Sequence, residues 1–224
     1  MAREFPFNIV GFDLDGTLLD SSHELAASLN YTLKLGRRPP IDEGAVKQLV
    51  GMGARHMLEM ALAAHGEVDR TEVKRLMPAL LNHYEEHLGS NCPPFPGLLT
   101  ALDMLADTGV KLAVVTNKFE HLAVKLLGNV GMLGRFVTVI GGDTMGPGRS
   151  KPMADPIHEM ISRCGGGRAA FIGDSIHDTS AATAAGIPSI AVSFGFLHQP
   201  VEELGATAII DHYDELIPAL QRIG

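Results

Sequence analysis

The run Phe7-Asn8-Ile9-Val10-Gly11-Phe12, followed at once by Asp13-Leu14-Asp15-Gly16-Thr17, decides the fold. A short apolar segment rich in branched side chains and closed by a polar turn predicts a strand buried in a parallel sheet. The turn carries two carboxylates one residue apart, and Gly16 lets the chain double back tightly behind them. In a loop leaving a strand, both side chains can turn into one site. Two carboxylates about 4 Å apart repel by ~4 kcal/mol at an effective dielectric of about 20. A site that keeps them together needs a cation, a shared proton or both. A solvated Asp-Gly turn that caps a helix is the plain alternative, but Asp13 follows an apolar strand directly, which favours function.

Outward from this stretch, similar apolar runs recur at Lys111 to Thr116, Phe136 to Ile140, Ala169 to Gly173, Ser189 to Ser193 and Ala206 to Ile210. Amphipathic segments alternate with them: Gly97 to Asp107, Leu122 to Leu127, Pro156 to Cys164, Asp178 to Ala185 and Asp214 to Arg222. This alternation predicts an α/β fold with a doubly wound parallel sheet. Between about Ser21 and Asn91 the rhythm breaks into helical patterning alone. There, Ser21 with Glu24 fits a capping box, Gly36 and Pro39-Pro40 end that helix, and Asp42 starts the next, which Gly51-Met52-Gly53 closes. Ala54 to Ala64 and Thr71 to Leu88 follow, the latter with a kink or a break expected at Pro78. The chain thus divides into a core of residues 1–20 and 92–224 and a helical insertion of residues 21–91. Asp20-Ser21-Ser22 and Asn91-Cys92-Pro93-Pro94-Phe95-Pro96 form the paired linkers.

With 224 residues, 46% of them hydrophobic, the chain can bury one full core and still carry the insertion. Its formal net charge is -8 with no basic stripe, which argues against a nucleic-acid partner. No apolar run reaches membrane-spanning length, and Met1 to Asn8 lacks the apolar stretch of a signal peptide. Cys92 and Cys164 have neither metal-ligand spacing nor a disulfide framework. A cytoplasmic protein, monomer or homodimer, is expected.

Four segments fall at the carboxyl ends of predicted strands, the edge where open α/β sheets bind ligands. Asp13 and Asp15 are the first. Thr116-Asn117-Lys118 is the second: a hydroxyl, an amide and backbone N–H groups suited to phosphate oxygens, or simply a helix start. Lys151-Pro152 is the third, with an ammonium able to neutralise phosphate and carboxylate charge. Gly173-Asp174-Ser175-Ile176-His177-Asp178 is the fourth. Asp174 leaves its strand as Asp13 does and suits a hard cation such as magnesium. Asp178 supports that group from behind or caps the following helix. In the insertion, Gly51-Met52-Gly53-Ala54-Arg55-His56 is the candidate specificity loop. Arg55 there could pair with a substrate carboxylate or stay solvated. His56, His121 and His177 are read as surface or packing residues.

In this order and over nearly the whole chain, the four segments resemble motifs I to IV of the haloacid dehalogenase superfamily, and the helical insertion resembles its C1 cap. That resemblance implies a central strand order 5-4-1-2-3 and a Mg2+-dependent phosphatase acting on a small phosphorylated metabolite. Asp13 would be the nucleophile and Asp15 the general acid and base. Magnesium would be held by Asp13, the Asp15 carbonyl and Asp174, with Asp178 behind them. Thr116, Asn117 and Lys151 would hold the phosphate. Asp15 argues against the dehalogenase reaction. Thr116-Asn117-Lys118, Gly141-Gly142-Asp143-Thr144 and Phe194-Gly195-Phe196 are similar to phosphoglycolate phosphatases, which makes 2-phosphoglycolate the expected substrate. Ala154, where those enzymes often have proline, and Arg55-His56 depart from their pattern. A β-phosphoglucomutase-like phosphomutase, a hydrolase for pyrophosphate or another phosphometabolite, and an aspartate-phosphorylated signalling module are the alternatives.

Overall fold

A computed structural model describes residues 5–224; residues 1–4, part of the N-terminal stretch read above for a leader, lie outside the described residues. The strands are β1 (Ile9–Phe12), β2 (Lys111–Val115), β3 (Thr138–Ile140), β4 (Ala169–Gly173), β5 (Ser189–Val192) and β6 (Ala208–Ile210). They form one sheet in the order β3-β2-β1-β4-β5-β6, with every pair parallel. The expected 5-4-1-2-3 order is therefore present, with β6 added beyond β5. Ile9 pairs with Lys111 on one side and with Ala169 on the other, which puts β1 at the centre.

Strand periodicity sorts the core into two layers. Val10 and Phe12 point into a large cluster with Leu102, Leu105, Val114, Leu126 and Leu220. Val114 belongs to β2, and the leucines come from α5 (Leu98–Asp107), α6 (Glu120–Asn129) and α9 (Leu216–Ile223). Ile9 points the other way, into a cluster with Ile157, Met160, Ala181 and Ala182 from α7 (Asp155–Arg163) and α8 (Ile176–Ala184). Gly11 faces this second layer, where a side chain would collide with Met160 and Phe171.

Four helices lie between β1 and α5: α1 (Ser22–Leu35), α2 (Glu43–Lys47), α3 (Ala54–Ala63) and α4 (Arg70–His87). Asp42 caps α2 as expected, accepting from Ala45 N–H. Two expectations for this region, a break at Pro78 and a capping box at Ser21, fail. The helix α4 is continuous through Pro78, with no break. Val73, Leu76, Leu80 and Tyr84 form one buried stripe on both sides of the proline, while Pro78 itself is exposed, so water can serve the carbonyl that loses its partner. The capping box of Ser21 and Glu24 is also absent. Asp20 takes over the first turn of α1, accepting from Ser22 N–H. Buried Glu24 instead accepts from Gly89 N–H at 3.0 Å and Asn91 N–H at 2.6 Å. The two linkers meet directly: Asp20 N–H donates to Pro93 C=O at 2.9 Å and Phe95 N–H to Leu18 C=O at 3.1 Å, making a short antiparallel bridge. Among the described residues, no helix is long and apolar enough to cross a membrane.

Candidate active site

The carboxyl ends of β1, β2 and β4 lie side by side, so the loops after them share one edge. Asp13 leaves β1 with its N–H held by Ile172 C=O at 2.9 Å. Gly16, at φ +85°, then reverses the chain, and a Cβ there would overlap the Asp174 carboxylate and the Phe196 ring. The reversal brings Thr17 Oγ1 within 2.9 Å of Asp174 Oδ1. Phe196 N–H donates to the other oxygen of Asp174 at 2.6 Å.

Lys151 enters from the loop before α7 and is buried. Its ammonium lies 2.7 Å from Asp13 Oδ1 and 2.5 Å from Asp178 Oδ1. Asp178 also closes a capping box at the start of α8, accepting from Ser175 N–H and Oγ. One carboxylate thus sets both a helix start and the position of the lysine.

Asp15 has different company. Oδ1 accepts from Ser21 Oγ at 2.6 Å, and Oδ2 pairs with Lys118 Nζ at 2.6 Å. Lys118 is a site residue that the sequence reading left without a role. A lysine after Thr-Asn looks solvated, yet here it is largely buried, with its ammonium 4.7 Å from the centre of the Tyr84 ring. Tyr84 comes from the buried stripe of α4, and a tyrosine within such a stripe needs a partner for its hydroxyl. That need was the available signal.

Burial, partly offset by Lys151, pushes the Asp13 carboxyl up to about 6. Burial, then the charges of Asp13 and Asp178, raise Asp174 well above the usual carboxylate range. Burial works against the Lys151 and Lys118 ammoniums too, but Asp13 and Asp178 around the first and Asp15 beside the second hold both above the ordinary lysine value.

The donor set fits a divalent cation. Oxygens of Asp13, Asp174 and Asp178 lie within 4.8 Å of one another. Fully ionised, the three buried carboxylates would leave two negative charges beyond the single ammonium of Lys151, which is why burial favours the protonated forms of Asp13 and Asp174 without a cation. Asp13 Oδ1 has Lys151 Nζ at 2.7 Å but no well-directed hydrogen bond among the described residues. A hollow of about 10 Å³, the size of one water, touches Asp13, Asp15 and Asp174. Both Asp178 oxygens already accept from other groups, and no described backbone N–H engages the Asp15 carbonyl.

Beside the hollow lies a cavity of about 250 Å³ between the sheet edge and the helical segment, lined by Asp13, Asp15, Thr116, Lys118, Tyr84 and Gly51 among others. Thr116 is buried, and its Oγ1 accepts from Lys118 N–H at 3.2 Å. The Asn117 side-chain amide is not turned to a ligand: Nδ2 donates to Gly51 C=O at 2.9 Å and Lys151 C=O at 3.1 Å. The amide donors expected for phosphate are thus spent on two backbone carbonyls. Arg55 lines the cavity but is exposed, and it pairs with Glu59 at 3.0 Å.

Residues 10–192 match the model of the haloacid dehalogenase-like hydrolase family, and the chain belongs to that family. It is an enzyme of the phosphatase type. A phosphoglycolate phosphatase of Agrobacterium fabrum is 39% identical over 93% of this chain and 90% of its own length. Phosphoglycolate phosphatase 1 of Pseudomonas aeruginosa is 34% identical over 94% of this chain and 78% of its own. A crystal structure of a predicted phosphoglycolate phosphatase from Haemophilus somnus superposes with a TM-score of 0.89 at 28% identity, covering 96% of this chain and 99% of that one.

Proposed function

We propose that the chain is a magnesium-dependent phosphomonoesterase working through an aspartyl-phosphate, with 2-phosphoglycolate as its substrate. The observation that carries this reading is the separation of two neighbouring carboxylates into different environments. Asp13 sits against Lys151 beside the ion-sized hollow, and Asp15 sits against Lys118 and Ser21 beside the cavity. The name of the relatives supports the choice of substrate.

Asp13 attacks phosphorus and the ester oxygen leaves, splitting the displacement into two easier steps. Asp15 gives its proton to that oxygen, then takes one from the water that cleaves the acyl phosphate. Lys151 shields Asp13 from the anion it attacks and, with Thr116 and the N–H of Asn117, holds the transferring group. Asp13, the Asp15 carbonyl and Asp174 would hold magnesium, with Asp178 fixing Lys151 behind them. The ion, when bound, supplies charge balance and in-line alignment of the phosphoryl group. Residues 21–91 act as a cap over the site, with the paired linkers as hinge.

The test is phosphate release over a panel of phosphorylated acids, sugars, nucleotides and pyrophosphate, with magnesium and with chelator. Magnesium-dependent release, fastest from 2-phosphoglycolate, is expected. Isomerised product without free phosphate would overturn the hydrolase reading, and equal rates in chelator would remove the metal.

A further inference from the structure

Lys151 and Lys118 are both buried cations beside a catalytic carboxylate, but their surroundings differ. Lys151 bridges two carboxylates, Asp13 and Asp178. Lys118 has Asp15 as its one carboxylate partner among the described residues, lies against Tyr84 and borders the cavity. An ammonium has three N–H donors, so the bond to Asp15 leaves two over. Tyr84 lines the same cavity, and its hydroxyl, buried, has no hydrogen-bond partner among the described residues. Such a group costs free energy unless something fills the place of water. Burial raises the phenol above its ordinary value, so it stays a donor. Leu25, Val50, Met57, Leu80 and Leu122 complete the wall and keep the local dielectric low.

We propose that Lys118 Nζ and the Tyr84 hydroxyl form the leaving-group subsite, which selects phosphate esters carrying a carboxylate on the carbon next to the ester oxygen. The inference rests on the phosphatase reading above. Its geometry is short: Lys118 is one hydrogen bond beyond Asp15, the group that serves the leaving oxygen. In an α-phosphorylated acid the carboxylate is bonded to the carbon bearing that oxygen. It reaches the ammonium as Asp15 keeps its own contact, and Lys118 then bridges two carboxylates as Lys151 does. Arg55, the other cation on the cavity wall, is exposed and held by Glu59, so it reads the substrate less.

The test uses the full-length chain with magnesium and the Asp13→Asn background, so that binding is read without turnover. Titration calorimetry compares 2-phosphoglycolate with ethyl phosphate, which lacks the carboxylate. Adding Tyr84→Phe, which keeps the ring under Lys118, should weaken 2-phosphoglycolate by about tenfold, as for loss of a hydrogen bond to a charged group, and ethyl phosphate by less than about twofold. Arg55→Gln should change both by less than about twofold. In the otherwise wild-type enzyme, Tyr84→Phe should raise KM for 2-phosphoglycolate more than it lowers kcat. Equal weakening of both ligands, or a carboxylate-specific loss in Arg55→Gln with none in Tyr84→Phe, overturns the subsite. Undiminished turnover by Asp13→Asn would instead overturn the proposed chemistry.

Discussion

Lys151 Nζ lies 2.7 Å from Asp13 Oδ1, with both side chains almost wholly buried. The lysine is the only ammonium within reach of three buried carboxylates among the described residues. Lys151→Met should therefore destabilise the protein by about 3–5 kcal/mol, the cost of leaving a buried ion without its partner. Chemical denaturation checks this, and magnesium should recover part of the loss. An unchanged unfolding midpoint would count against the charge arrangement.

Stability without metal should depend on pH in a set direction. Asp13 in the folded chain titrates near 6, against an ordinary value of 3.8. A raised folded value means that the native state holds the proton longer. Its contribution is present below about pH 4 and disappears as pH rises through about 6. Between about pH 4 and 7 in chelator, stability should fall by roughly 2–3 kcal/mol more in the wild type than in Asp13→Asn. Urea unfolding at both ends of that range reads the difference. Parallel curves for the two proteins would show that Asp13 carries no such penalty.

Asp15→Asn should separate substrates by leaving group. A nitrophenolate departs without a proton, whereas a glycolate or alkoxide needs one. The substitution should cost about 10²- to 10⁴-fold on an alkyl phosphate and far less in the first step on an aryl phosphate. Burst kinetics with the aryl ester would then reveal slow hydrolysis of the acyl phosphate. Equal loss on both esters would argue against an acid at this position.

Asn117→Ala removes two hydrogen bonds, to Gly51 C=O in the helical segment and to Lys151 C=O in the core. Each is worth about 1 kcal/mol, so a loss of roughly 2 kcal/mol is expected in thermal or urea unfolding. KM should rise more than kcat falls, because the loop that roofs the cavity is released while Asp13 and Asp15 stay in place. A drop confined to kcat would mean that the amide acts on the reacting group.

Gly16→Ala should weaken magnesium binding rather than abolish folding. The new methyl would press on the Asp174 carboxylate and the Phe196 ring from a left-handed backbone position. Magnesium titration followed by calorimetry reads the effect directly, and unchanged affinity would show that Asp174 has room to move.

Much of the sheet was legible in the sequence because each strand is a short apolar run ended by a polar turn, whereas the register was not, since strands buried on both faces carry no alternation to fix it. The carboxylates Asp13 and Asp174 could be found for the same reason: they sit where an apolar strand stops. Pairings across the chain were not legible. Ser21 and Glu24 have the spacing of a capping box, but Asp15 and the N–H groups of Gly89 and Asn91 compete for them and win. Lys118 looks like a surface lysine until Tyr84, from helix α4 of the insertion, is laid against it. The break offered at Pro78 does not occur, because the buried stripe that carries α4 past it outweighs local propensity.

The short antiparallel bridge between the two linkers, clasped by Glu24, limits how the helical segment can move. A body tied down at two distant points can twist, slide and shear. One tied at two adjacent points that are bonded to each other keeps a single easy rotation, about the line through the tie. On the hinge motion proposed above, opening and closing would follow one arc, and each closure would return Gly51 and Tyr84 to the same places beside Asp15.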